Sequence, residues 1–120
     1  MNCYTIQLAK HRLLTHSNIE LIDITVKSGL ALFAPTWEMV RGVKSGTLSE
    51  EDYIEQYTEM MRLSWSNAPE QWLALFEKPA IALGCYCPAE SFCHRHLLVY
   101  FLSQIAAHRE LAFINHGELR

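Results

Sequence analysis

The run Ala80-Ile-Ala-Leu-Gly-Cys85 carries no polar side chain; Lys78-Pro79 precedes it and Tyr86-Cys87-Pro88 follows. Small and aliphatic residues without alternation predict a strand buried on both faces, the kind found in sheets covered by helices. Downstream, Cys93 to about His108 carries Leu97, Leu98, Val99, Tyr100, Phe101, Leu102 and Ile105 around most of a helical circumference. Such a helix is expected to be largely enclosed by the protein. Strand, short loop and apolar helix therefore follow one another, and the rest of the fold has to be built around them.

The remaining chain supplies compatible pieces. Cys3 to Leu8 has β-formers at alternating positions and predicts a first strand; Ala9 to Arg12, with Lys10, His11 and Arg12, then forms a solvated loop. Ile19 to Val26 is the strongest β-pattern, and Leu21, Ile22, Ile24 and Val26 suit a central strand. Phe33-Ala-Pro-Thr-Trp37 leads into a short helix capped by Thr36 and ended by Gly42. Ser49, answered by Asp52 and stapled by Leu48 against Tyr53, starts an amphipathic helix reaching about Ser64. Its stripe of Tyr53, Ile54, Tyr57, Met60, Met61 and Trp65 belongs to the core. A further helix begins around Asn67 to Pro69 and turns Trp72, Leu73, Leu75 and Phe76 inward; Glu110 to Asn115 closes the chain as a short strand. Buried-type strands separated by helices predict a three-layer α/β domain with a small, mainly parallel sheet of about four strands. At 120 residues the chain makes one domain, 1–120, around one core.

The net charge of −3 and a pI near 6.0 give no broad attraction to nucleic acid or an anionic membrane, which needs clustered Lys and Arg. A local basic pocket remains compatible with that balance, so nucleic acid is a possible partner that the charge does not indicate. The start Met1-Asn-Cys-Tyr-Thr-Ile-Gln-Leu8 lacks the features of a signal peptide, and no apolar stretch is long enough to cross a bilayer. A cytoplasmic location is expected. Thiols stay reduced there, so four cysteines with three crowded into Cys85 to Cys93 argue for metal or thiol chemistry over a disulfide framework. No pattern in the chain specifies an oligomeric interface.

Cys93, His94 and Arg95 fall in the first turn of the predicted helix, where free N–H groups and the positive dipole end favour anions. A thiol at that position is pushed toward thiolate and can act as a nucleophile, with His94 as acid, base or ligand. Arg95 offers a planar fork for phosphate or carboxylate. Asp23, near the end of its strand, either faces a ligand cleft or ties down the next loop, and Lys27-Ser28-Gly29 offers a cation and a turn that can approach an anion. A phosphatase loop is excluded, because the residue six places after Cys87 is Cys93 and the one six after Cys93 is Val99, not arginine. Zinc is the second reading, on Cys85, Cys87, Cys93 and either His94 or His96, although Cys-x-Cys…Cys-His is unlike the paired knuckles of structural zinc sites. A redox pair, Cys85–Cys87 or Cys87–Cys93, is the third. Taken alone, Cys85 is a small core residue at a strand end. His94 and His96 lie about 200° apart on a helix, so only one shares the environment of Cys93.

These residues carry a resemblance. Asp23 ending one strand, Cys85 ending another and Cys93-His94-Arg95 opening a helix resemble the domain-of-unknown-function 488 family of bacterial and phage proteins. Asp23-Ile-Thr-Val-Lys-Ser-Gly29, Phe33-Ala-Pro-Thr-Trp37 and Cys85-Tyr-Cys-Pro…Phe-Cys-His-Arg95 look like its short phage-type branch. The resemblance implies a compact α/β fold and brings no particular activity. Many relatives have Cys-x-Glu where this chain has Cys85-Tyr86-Cys87, with Glu90 three residues further on. The expectation is a thiol-dependent enzyme acting at the Cys93 helix start on a nucleotide or other small phosphorylated molecule, without a cofactor. The alternatives are a non-catalytic anion-binding module and a structural zinc site.

Overall fold

The computed structural model describes residues 1–88 and 91–120. Four strands form one parallel sheet: β1 (Asn2–Gln7), β2 (Glu20–Asp23), β3 (Ala80–Cys85) and β4 (Ile114–Leu119), in the order β2-β3-β1-β4. Four α-helices accompany them: α1 (Trp37–Ser45), α2 (Glu50–Asn67), α3 (Pro69–Leu75) and α4 (His94–Arg109). The core joins Cys3, Ile22, Ile81 and Leu83 on one sheet face to Tyr57, Met61, Trp72, Leu98 and Leu102 from the helices. On the other face, Leu8 of a 3₁₀ helix (Leu8–Leu14) lies over Gly84, where a Cβ would meet its Cδ2 at 2.7 Å. Helices, sheet and this short helix make the three layers of the expected α/β domain. β3 is fully buried along its length, as its unbroken apolar run requires.

Local signals act where the chain offers them. Thr36 caps α1 by accepting from the Met39 N–H at 3.1 Å, and Ser49 caps α2 by accepting from the Asp52 N–H at 3.0 Å. Helix α1 ends at Gly46, in the left-handed region at φ 79°, and not at Gly42. Gly42 is retained inside the helix because a Cβ there would stand 2.8 Å from that of Leu48. Helix α2 runs on to Asn67, three residues past the expected Ser64.

Tertiary pairing overrides pattern at four places. The run from Ile19 was expected to be a central strand, yet β2 is an edge strand that pairs only with β3 among the described residues. Ile22 and Ile24 are buried, whereas Leu21 is exposed. The segment expected as a loop after β1 winds into the 3₁₀ helix, with His11 and Arg12 exposed. Helix α4 is enclosed on one side only, since Tyr100 stands 58% exposed. The last strand begins four residues later than expected, because Glu110 takes a left-handed φ of 58° as the C-cap of α4. Its Ile-Asn-His-Gly-Glu-Leu sequence is a poor β-former and is held by pairing with β1.

Candidate functional site

The carboxyl ends of β2 and β3 and the amino end of α4 meet around a cleft of about 520 Å³. Its wall includes Thr25, Lys27, Trp37, Lys44, Tyr53, Cys85, Tyr86, Cys87, Phe92, Cys93 and His94. Clefts outside the strand ends of a parallel sheet are where this architecture places ligands. The lysines are exposed, and Trp37 is also partly open to solvent. Tyr86 joins the two loops of one wall, with its hydroxyl 3.2 Å from Ser28 Oγ and Lys27 Nζ 5.9 Å from its ring centroid.

Three thiols converge in this wall. Cys85 ends β3, Cys87 lies in the following loop and Cys93 is the N-cap residue of α4, and their sulfur atoms all lie within 4.8 Å of one another. Cys85 and Cys93 are buried, and Cys87 is the half-buried one. The S–H groups of Cys85 and Cys93, followed by the charge of Arg95, hold Cys87 below an ordinary thiol. Cys93 moves the other way, raised first by its hydrogen bonds to Cys85 and Cys87 and then by burial. A lowered thiol was expected at Cys93, at the helix start; the shifts run the other way there, and the lowered thiol is Cys87. Cys3, by contrast, is a core thiol pushed up to about 12 by burial.

His94 is the histidine that shares this environment, while His96 is exposed. Its Nε2 lies 2.6 Å from the Ile24 carbonyl oxygen, its Nδ1 lies 3.7 Å from Cys93 Sγ, and its ring meets Tyr57 edge-on with centroids 5.4 Å apart. A carbonyl can only accept, so the proton sits on Nε2 and the Nδ1 lone pair turns toward sulfur. Burial lowers the imidazole pKa, consistent with a neutral ring.

Asp23, Ser28 and Arg95 stand behind the cleft wall. Asp23 accepts from the Thr25 N–H at 2.9 Å, the Thr25 hydroxyl at 2.8 Å and the Ser28 hydroxyl at 2.5 Å. Burial acts to raise its pKa, but the bonds from Ser28 and Thr25 outweigh it and hold the carboxyl below the usual range. It ties down its own loop, one of the two roles open to it in the sequence. Gly29 completes that loop: its N–H donates to Thr25 O at 2.9 Å, and a Cβ would collide with the Thr25 backbone nitrogen and the Asp23 oxygen.

Arg95 is wholly buried, which leaves no face of its guanidinium for an anion from solvent. It donates to Glu118 through Nε at 3.1 Å and Nη2 at 3.3 Å, to Pro88 O at 3.0 Å and to Cys85 Sγ at 2.6 Å. Thr5 also donates to Glu118 Oε1, at 2.6 Å. Glu118 escaped sequence reasoning because it lies in a weak β-pattern; the available signal was that arginine in the first turn of a buried helix needs a carboxylate. Trp37, Lys44, Tyr86 and Phe92 were likewise not singled out as site residues, since α1, which carries the first two, is far in sequence from the segment between β3 and α4 that carries the others. Glu90, three residues beyond Cys87, lies outside the described residues.

The arrangement unites sulfur nucleophiles or ligands, one neutral imidazole, aromatic walls and two exposed cations. No helix among the described residues is long and apolar enough to cross a membrane. No curated protein and no solved structure matches the chain. A family model described as the active DUF488-N3 subclade matches residues 11–106, a span that includes the cleft wall from Thr25 to His94. The chain thus belongs to the DUF488 family, within its DUF488-N3 group.

Proposed function

We propose that this protein is a thiol-dependent enzyme acting on a small anionic, nucleotide-like molecule bound in the cleft. The observation that carries the proposal is the convergence of Cys85, Cys87, Cys93 and His94 on one side of a cleft whose aromatic and cationic residues complement such a molecule. Trp37, Tyr53, Tyr86 and Phe92 offer surface for a planar base, and Lys27 and Lys44 offer charge for a phosphate. Cys87, the least enclosed of the three thiols, presents sulfur toward the substrate, and His94 Nδ1, 3.7 Å from Cys93 Sγ, is the proton acceptor of the same wall. Arg95 and Asp23 act as positioning residues, one behind Cys85 and the other behind the Lys27 loop.

A net charge of −3 favours a small molecule over a long duplex. The resemblance to a phage-type branch, carried by Asp23–Gly29 and the Cys85–Arg95 segment, favours a nucleotide substrate. A cytoplasmic setting is supported by the crowding of three cysteines into Cys85 to Cys93, a pattern suited to metal or thiol chemistry in a reducing compartment. The test is to follow a panel of nucleoside mono-, di- and triphosphates by tryptophan fluorescence for binding and by chromatography for turnover. Cys87→Ser is expected to lower turnover by at least about a hundredfold with nucleotide affinity retained. Equal behaviour of the variant and the parent in both measurements would leave a binding module.

A further inference from the structure

We infer that the sulfur cluster is a metal site, in which Cys85, Cys87, Cys93 and His94 Nδ1 hold one soft divalent cation of the zinc class. The inference needs the geometry of the cluster alone and is independent of the proposed enzymatic role: with the ion bound, Cys87 and His94 Nδ1 are ligands, and the thiol chemistry belongs to the metal-free chain. Zinc–sulfur bonds of about 2.3 Å in a tetrahedron set sulfurs about 3.8 Å apart, and a histidine nitrogen about 3.6 Å from each sulfur. The three sulfurs lie within 4.8 Å of one another, and His94 Nδ1 lies 3.7 Å from Cys93 Sγ. Closure on an ion therefore needs shifts of an ångström or less among the sulfurs, and Cys87 sits in a loop that can supply them.

The surroundings match what a metal requires of its ligands. A histidine that binds through one nitrogen is oriented by a hydrogen bond at the other. His94 has that bond already, with Nε2 at 2.6 Å from the Ile24 carbonyl oxygen and Nδ1 left as a lone pair. Thiolate ligands carry charge that a nearby donor stabilises, and the wholly buried Arg95 directs Nη1 at Cys85 Sγ from 2.6 Å. Spacing along the chain had argued against zinc because Cys-x-Cys…Cys-His is not a knuckle pattern. The strand end, loop and helix start bring the same residues together without needing one.

Elemental analysis of the full chain purified without chelator is expected to give one zinc per molecule. Titration of metal-depleted protein with Co²⁺ should give the intense visible bands of a tetrahedral site and near-ultraviolet sulfur-to-cobalt charge transfer, saturating at one equivalent. Cys87→Ser and Cys93→Ser should lose both signals, and His94→Ala should weaken binding on the order of a hundredfold. Cys3→Ser, a change at a thiol in β1 outside the cluster, should keep them. A native chain that gives no sulfur-to-cobalt charge transfer overturns the site whether or not any variant folds. So does a Cys3→Ser variant that loses metal as completely as Cys87→Ser. A chain that carries no zinc as purified and takes up no Co²⁺, yet turns over nucleotide in a Cys87-dependent way, would remove the metal and leave the thiol enzyme standing. One zinc per chain, lost in Cys87→Ser, with no turnover of any nucleotide, would establish the metal site while removing that enzymatic role.

Discussion

Asp23 and Glu118 are carboxylates at the ends of the two edge strands, β2 and β4, and each is fully hydrogen-bonded. Asp23 is half-buried, and its partners Thr25 and Ser28 lie within five positions of it. Glu118 has a side chain only 7% exposed and reaches Arg95 and Thr5, which are 23 and 113 positions away. Strand pleating separates them further: in the register Asp23 falls opposite Gly84, whereas Glu118 falls opposite Thr5, on the face that carries Cys85. One acid shapes the loop it stands in. The other joins β1, β4 and the start of α4 behind the sulfur cluster. Strand-end acids in the same sheet can thus serve a local turn or the whole site, and pleat parity decides which.

Removing Glu118 should have the largest effect. Glu118→Ala leaves a guanidinium buried without its counter-charge and is expected to lower stability by about 3–5 kcal/mol in urea denaturation. Replacing both partners, Arg95→Met with Glu118→Leu, should recover most of that loss, because the penalty belongs to the unpaired charge. A double variant as unstable as the single one would mean that Glu118 matters for packing, and the contrast with Asp23 would lose its electrostatic basis.

Gly29→Ala comes next, at roughly 1–3 kcal/mol, because the added methyl must push apart the backbone of the Asp23–Thr25 turn. Its effect should appear as faster amide exchange from Thr25 to Leu30, with little change at α4. Matching changes at α4 would show that the two regions are coupled.

Asp23→Asn should be the mildest, at about 1 kcal/mol near neutral pH, since the carboxyl is partly in water and several of its bonds can be kept by the amide. Its pKa is lowered in the folded state, so its stabilisation is present above the unfolded carboxyl value and is lost as pH falls through the lower folded one. Urea midpoints measured from pH 7 down to pH 3 should therefore converge for the parent and Asp23→Asn at the acid end. A gap that widens on acidification would assign Asp23 the opposite sign.

Much of this was legible in the chain because it depends on neighbours. The unbroken apolar run of β3, the caps Thr36 and Ser49 and the Cys93-His94-Arg95 helix start all declare themselves within a few residues. The edge position of β2 did not, since an apolar strand reads the same whether one or two partners flank it. Arg95 was legible as a charged residue near the site but not as a buried one, because its partner is a glutamate in a strand without β-formers. Cys87 and Cys93 were visible as candidates, while the opposite shifts of their thiols depend on sulfur distances that only the fold defines.

The pairing of β4 with β1 also has a consequence for the order of events in folding. Ile114 N–H donates to Met1 O at 3.0 Å, and Thr5 reaches Glu118 across 113 positions. Closing so long a loop is entropically slow, and it comes after the local helices can form. Arg95 is therefore without that carboxylate until β4 has paired with β1. Full enclosure behind the sulfur cluster is therefore a late event, completed when the final strand docks beside the first.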